Sequence, residues 1–332
     1  MNRCVTRLAV PLILAAVMAA GCASRSTTTP AASPRSPAAS ATSATASTSS
    51  PSSVAPASAF PVTLTDDDGV SVTLKAPPQR IVTFAPANTE ILFALGLGDR
   101  VVGVSGRYDN YPPAARQIEE VGGSTGVAPN IEKVVSLQPD LLLATSGGED
   151  WKQRLRQVGV TVFSIDATSF DDVLHDIQTV GKLTGAEQPA AALAANMAAE
   201  AAEIKARVAA APAVSCFYEV YYQPPVYTVG PGSFVFSLLK LAGCDPVTAN
   251  LNTQYPQMSV EAIVRADPDV YLVDSLSAPS VAAVAKRPGY DALSAVRDQR
   301  VVFIDSDLVT RPGPRVVDGL RELADALHPS SG

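Results

Sequence analysis

EQPAAALAANMAAEAAEIKARVAAA, residues 187 to 211, holds almost nothing that stops a helix. Pro189 falls in the first turn, where a missing N–H is tolerated, alanine dominates the remainder, and Pro212 closes the run. The stretch predicts one connecting helix of about 20 residues and roughly 30 Å. Similar text stands on either side of it. Upstream, NIEKVV (130–135) leads to PDLLL (139–143); downstream, SVEAIV (259–264) leads to PDVYL (268–272). Paired positions lie 129 residues apart, as Asp140 and Asp269 show. Each copy has a capping residue, an acid in the first turn, a short apolar helix, a proline-aspartate break and a buried-strand run. Two similar α/β lobes joined by one rigid helix are expected.

The composition is compatible with that plan and excludes others. With 332 residues, 47% of them hydrophobic and 17% charged, the chain can bury one large or two modest cores. A net charge of -7 argues against nucleic acid, whose phosphates call for a basic surface. Two histidines and four scattered cysteines are too few for a histidine- or thiolate-rich metal site, so neither a bound metal nor a cofactor is expected.

The chain opens with a targeting segment. Arg3 and Arg7 flank an apolar core from Leu8 to Ala20, and Ala19-Ala20-Gly21-Cys22 forms a small-residue cleavage site ending in cysteine. About 13 apolar residues are short for a permanent membrane span. The pattern resembles a bacterial lipoprotein signal, which implies lipidation of Cys22 and an anchored, extracytoplasmic protein. From Ala23 to Ala59 the text is almost entirely Ala, Ser, Thr and Pro, a composition that cannot build a core and reads as a disordered tether with a reach of roughly 35 Å. The expected organisation is a signal at 1–21, a tether at 22–59, an N-terminal lobe at 60–185, the bridging helix at 186–212 and a C-terminal lobe at 213–332.

Pro61 to Thr65 and Val70 to Leu74 alternate on either side of Asp66-Asp67-Asp68-Gly69, which predicts a β-hairpin. Arg80–Phe84 predicts a strand, Ala85 to Asn88 a loop, Thr89–Leu95 a helix closed by Gly96, and Val101–Ser105 another strand. Further strands are expected at 141–144, 161–165, 214–220, 270–273 and 301–304, with helices at 234–242 and 314–327. Strands alternating with helices at this spacing give mainly parallel sheets covered by helices. In such sheets ligands bind beyond the carboxyl ends of the strands. The loops there carry Arg107, Tyr108 and Tyr111 in one lobe, and Tyr221, Tyr222, Tyr227, Tyr255, Asp307 and Arg311 in the other. Tyrosine offers a flat apolar face and one hydrogen bond, which suits a large, flat, partly polar ligand.

RIVTFAPANTEILFALGLGDRVVGVSGRYDNYPP, residues 80 to 113, together with the two proline-aspartate units, Tyr255-Pro256-Gln257 and Asp307 to Arg315, resembles the iron-chelate and cobalamin class of periplasmic substrate-binding proteins, with the closest likeness to its cobalamin-binding members. The likeness extends from Pro61 to His328. It implies an α/β fold of two Rossmann-like lobes with mainly parallel sheets, bridged by one long α-helix. It further implies a monomer that captures a corrinoid, or alternatively a ferric siderophore or haem, and passes it to an ABC permease and its ATPase. Tyr111, Tyr255, Asp307 and Arg311 match positions lining the corrinoid pocket, beside which Tyr108 and Tyr222 stand as further candidates. Glu132 and Glu261 match the two lobe-surface acids that dock onto permease arginines. Where enteric cobalamin binders carry pocket tryptophans, this chain has Gly126 and Thr145, and its single tryptophan is Trp151.

Cys216 falls near the start of a predicted strand and Cys244 just past the following helix. A strand and the helix returning from it place both thiols at the end remote from the ligand, so a disulfide between them is expected. A catalytic reading rests on Gly122-Gly123-Ser124-Thr125-Gly126, which fits G-x-S-x-G, with Asp307 and His328 following in the order of a hydrolase triad. The elbow needs a strand running into a sharp turn and then a helix, whereas only Ile118 to Val121 precedes Ser124 and the next helix is expected after Pro129. Binding without catalysis is the expectation.

Overall fold

The computed structural model describes residues 60–123 and 127–329. The signal and tether readings with Cys22, and Ser124 to Gly126, lie outside the described residues. The N-terminal part runs β1 (Val62–Thr65), β2 (Ser71–Leu74), β3 (Ile81–Thr83), α1 (Pro86–Ala94), β4 (Val101–Gly103), α2 (Ile131–Ser136), β5 (Leu141–Ala144), α3 (Glu149–Gln157), β6 (Val162–Ser164) and α4 (Phe170–Thr184). Then comes the long helix α5 (Glu187–Ala209). Beyond it lie β7 (Val214–Tyr221), β8 (Val226–Thr228), α6 (Phe234–Leu241), β9 (Cys244–Pro246), β10 (Gln257–Met258), α7 (Val260–Ala266), β11 (Val270–Asp274), α8 (Val281–Ala285), α9 (Ser294–Arg297), β12 (Val301–Ile304), α10 (Ser306–Val309) and α11 (Val316–Leu327).

The repeated text is a repeat of structure. β5 runs between β3 and β6, and β11 between β7 and β12, all parallel. The helices that carry the two first-turn acids, α2 and α7, are capped alike: Asn130 accepts from the Lys133 N–H at 3.0 Å and Ser259 from the Ala262 N–H at 3.2 Å. Each helix ends in a left-handed residue before proline, Gln138 (φ 49°) and Asp267 (φ 40°). The following aspartates do the same work. Asp140 accepts the N–H groups of Gln79 and Arg80, at 2.7 and 2.9 Å, just ahead of β3, and Asp269 accepts the Ser215 N–H, at 3.2 Å, in β7. Each carboxylate thereby pins the amino end of the neighbouring parallel strand.

Because helices cover both faces of each sheet, the central strands are buried throughout, which is why they read as unbroken apolar runs. Leu141, Leu142 and Leu143 are all 0% exposed. One apolar cluster runs from the α4 face of the first sheet through α5 and α11 to the α6 face of the second. α5 contributes Ala190, Ala194, Met197, Ile204 and Val208 from a single stripe. At Gly181 any Cβ would collide with that of Ala190, so glycine permits the close approach of α4 to α5. Cys216 and Cys244, both buried, form a disulfide with Cα atoms 5.9 Å apart, at the amino end of the β7–β9 pair.

One boundary needs correction, and two features go further than expected. α1 begins at Pro86, not Thr89, because proline at the first helical position has no N–H to lose and a φ already suited to the helix. The second sheet is mixed: β8 and β10 are antiparallel additions at its edge, too short to show an alternating pattern. The three-aspartate turn is more than a hairpin turn. Asp66 accepts from the Val70 and Ser164 N–H groups, Asp67 from that of Asp166, and Asp68 from Gly147, the Ser164 hydroxyl and the fully buried Lys152 ammonium. These bonds fasten the hairpin to the carboxyl ends of β5 and β6.

Behind that turn lies Asp176 on α4, whose carboxyl is pushed up to about 8, first by burial and then by the like charges of Asp67, Asp172 and Asp166. The folded chain therefore holds this proton from about pH 4 to about pH 8, whereas the unfolded chain has released it. Its stabilising contribution is full below about pH 4 and is lost progressively as the pH rises to about 8. Asp176→Asn, which fixes the neutral form, is expected to raise the urea midpoint at pH 8 and leave it unchanged near pH 4. Equal midpoints at pH 8 would refute a proton held at Asp176.

Candidate functional site

The carboxyl ends of β3 and β4 in one lobe face those of β11 and β12 in the other across a cavity of about 640 Å³. That volume falls within the roughly 300–1,000 Å³ range of small-molecule sites. Phe84, Gly106, Arg107, Tyr108 and Glu120 line it from the N-terminal lobe, and Leu276, Ser306, Asp307 and Arg311 from the C-terminal lobe. Trp151, in the first turn of α3, packs on Phe84 with ring centroids 5.0 Å apart, so the single tryptophan props the cavity wall. Thr145 offers its carbonyl to Lys152 at 2.6 Å.

Beside the cavity the two lobes are tied by charge. Glu90 on α1, 3% exposed, accepts from Arg315 Nε at 2.8 Å and Nη2 at 2.7 Å, and from Arg311 Nη1 at 3.2 Å. Arg311 Nη1 also donates to the Asn110 side-chain oxygen at 2.8 Å, while its Nη2 donates to Asp307 Oδ1 at 2.5 Å. The Asn110 amide in turn donates to Asp307 Oδ2 at 2.9 Å. Two acids and two arginines thus balance across the lobe boundary. The hydrogen bonds that Arg315 donates to Glu90, together with the charge of that carboxylate, raise the Arg315 pKa against the opposing effect of burial.

The loop carrying Asn110 is itself fixed from below. Asp109, 2% exposed, accepts from the Thr89 hydroxyl on α1, the Ser105 hydroxyl and the Gly106 N–H, at 2.5, 2.5 and 3.1 Å. Thr89 in turn bonds Thr83 at the end of β3, at 2.6 Å. The short strand, the helix after it and the loop after β4 are one hydrogen-bonded unit, and Gly313 of the other lobe lies against Ala87 at the start of that helix.

The expected ligand residues divide by location. Tyr108 lines the cavity, half-exposed, and its hydroxyl accepts from Arg107 at 2.6 Å. Asp307 and Arg311 also line it, but both are bonded into the lobe tie. Tyr111 lies at the lobe boundary beneath the Arg315 guanidinium, 4.1 Å from its ring centroid. Tyr255, 61% exposed, precedes β10, and its phenol is raised by burial and by Asp166 of the other lobe. Tyr222 departs from the expectation. Its ring carries the Arg287 guanidinium at 3.7 Å, and Arg287 pairs with the buried Glu219, so this tyrosine belongs to a structural cluster and lines a separate depression beside Glu261. Arginine stacking and the Glu219 pair outcompete the cleft for that side chain.

Glu132 and Glu261 are exposed in the first turns of α2 and α7. Hydrogen bonding by Ser259, then by the Glu261 backbone, holds the Glu261 carboxyl below the usual range. Asp307 and His328 stand at opposite ends of the C-terminal sheet: Asp307 follows the carboxyl end of β12, and His328 adjoins Gly243 at the amino end of β9. They form no dyad. Glu90, Asn110 and Arg315 are additions to the expected set. An acid within the apolar TEILFALG helix and two arginines at i, i+4 spacing were their signals in the sequence. Among the described residues no helix is long and apolar enough to cross a membrane.

The family model described as periplasmic binding protein matches residues 81–308. An uncharacterized ABC transporter substrate-binding lipoprotein of Bacillus subtilis, YvrC, is 38% identical over 281 residues, covering 82% of this chain and 87% of that protein. A cobalamin-binding protein of Halobacterium salinarum is 37% identical over 286 residues, covering 82% of this chain and 75% of its own. Among solved structures, the periplasmic vitamin B12 binding protein BtuF of Vibrio cholerae superposes with a TM-score of 0.67 at 27% identity, covering 76% of this chain and 97% of that one.

Glu90→Ala leaves the buried Arg311 and the partly buried Arg315 without their shared carboxylate. The unfolding free energy is expected to fall by about 3–5 kcal/mol, measured by urea denaturation at neutral pH. A fall below about 1 kcal/mol would show that the tie does not stabilise the chain.

Proposed function

The chain belongs to the periplasmic binding protein family, and we propose that it is the ligand-capturing lipoprotein of an ABC importer, taking a corrinoid between its lobes and handing it to a permease and its ATPase. The observation that carries the ligand class is the likeness to a cobalamin-binding protein over 82% of the chain. The cavity supports it: Tyr108 and Phe84 supply aromatic surface, and the wall carries two acids, Glu120 and Asp307, and two bases, Arg107 and Arg311. A ligand with a broad flat body and many neutral amide arms meets such a wall without stranding a charge.

In this reading the protein binds as a monomer, is held outside the cytoplasm by a lipid on Cys22, and performs no chemistry on its cargo. Tyr108, Tyr111, Tyr255, Asp307 and Arg311 frame the entry between the lobes. Delivery follows from differential affinity, with ligand favouring the closed arrangement and the permease favouring one that releases it. Glu132 and Glu261, placed alike by the repeat, are the two permease contacts.

Calorimetric titration of the purified protein with cyanocobalamin, a ferric hydroxamate and haem tests the ligand class. One-to-one binding of the corrinoid at micromolar or tighter affinity is expected. Binding of haem or the ferric chelate with none of the corrinoid would move the cargo and leave the transport role. Charge reversal at both acids, Glu132→Lys with Glu261→Lys, is expected to abolish uptake by cells while leaving corrinoid affinity within about twofold. A parallel loss of affinity would remove the docking role.

A further inference from the structure

The cleft contains two arginines in opposite states. Arg311 is 8% exposed, and its guanidinium is taken up by Glu90, Asn110 and Asp307. Arg107 is exposed, and among the described residues no carboxylate lies within ion-pairing distance of it. Its Nη2 donates to the Tyr108 hydroxyl at 2.6 Å, and its guanidinium carbon stands 4.7 Å from the centre of the same ring. The adjacent backbone is anchored through the Gly106 N–H to the buried Asp109. Among the described residues Arg107 is therefore a positioned, uncompensated cation on the wall of the cavity, its Nε and Nη1 without a partner there. Glu120 lines the same wall, on the other side of Gly106, where a Cβ would lie 3.7 Å from its Oε2.

We propose that Arg107 is a specificity-determining residue that takes the one anionic group of the ligand, while Glu120 accepts an amide N–H beside it; this rests on the corrinoid reading, in which the anion is the phosphodiester of the nucleotide arm. The fork of a guanidinium matches two phosphate oxygens, and a charge-assisted pair of this kind forms more strongly than a neutral one. Glu90, Asp307, Arg311 and Arg315 already balance one another, so Arg107 and Glu120 set the local preference. A monoanion with neutral donors satisfies both. A dicarboxylate such as haem brings a second negative charge toward Glu120 and Asp307, with no further free cation on the wall among the described residues.

The test titrates the protein and its Arg107→Gln and Arg107→Lys variants with cyanocobalamin and with dicyanocobinamide, which has the corrin ring but no phosphodiester. Arg107→Gln is expected to weaken cyanocobalamin about 10- to 150-fold, the range for one charge-assisted bond, and to leave dicyanocobinamide within about twofold. Arg107→Lys is expected to retain part of the preference. Added salt weakens cyanocobalamin binding to the unsubstituted protein and has little effect on the Gln variant. Equal losses for both ligands, or none for either, would overturn the role of Arg107 and leave the corrinoid reading intact. Failure of the unsubstituted protein to bind either corrinoid would overturn both.

Discussion

A carboxylate buried between two lobes governs this molecule. Glu90 leaves water only because Arg311 and Arg315 meet it from the opposite lobe, and Arg311 is held in turn by Asp307 and Asn110. Burying such a group alone is costly, whereas burying it with partners in good geometry is tolerated and fixes where those partners stand. That requirement reaches back through the structure. α1 has to start at Pro86 to carry Glu90 to the boundary, the loop after β4 has to fold over Asp109 to present Asn110, and the segment between α10 and α11 has to cross toward Ala87. With net stabilities of about 5–15 kcal/mol typical of folded domains, the loss of this one tie removes a large share.

The features legible in the sequence were those the chain encodes locally. The bridging helix, the central strands and the capped helices of the repeat arise from alanine content, unbroken apolar runs and an Asn or Ser before an apolar stretch. Those features use neighbours a few residues away. The short edge strands β8, β9 and β10 have too few residues to show a period. Glu90 and Arg311 are separated by 221 positions, and no local pattern states that distance. The site was legible in the same partial way. Topology named loops that meet at the cavity, which Tyr108, Asp307 and Arg311 line, but the pairing that commits Arg311 to Glu90 and Tyr222 to Arg287 exists only in three dimensions.

The long helix and the charge tie restrict lobe motion by different means. α5 is packed along one stripe against α4 and α11, and the apolar cluster it joins continues into both lobes without a break. Such a layer resists hinging, since a large rotation would open apolar surface to water. The polar tie on the cleft side is the softer of the two, because arginines and acids that separate there are met by water. A relative shift of the lobes would cost less exposed apolar surface on the cleft side than on the side of α5.

The placement of the two pinning aspartates has a consequence for how such a frame can change over generations. Asp140, Asp269 and the Cys216–Cys244 bridge all act at the amino ends of strands. The loops that touch the cleft leave from the carboxyl ends. Substitutions in those loops alter what is recognised without loosening what holds the strands in register, so recognition can drift while the scaffold stays intact. Strand register and selectivity are in this sense inherited separately, at opposite ends of the same sheets.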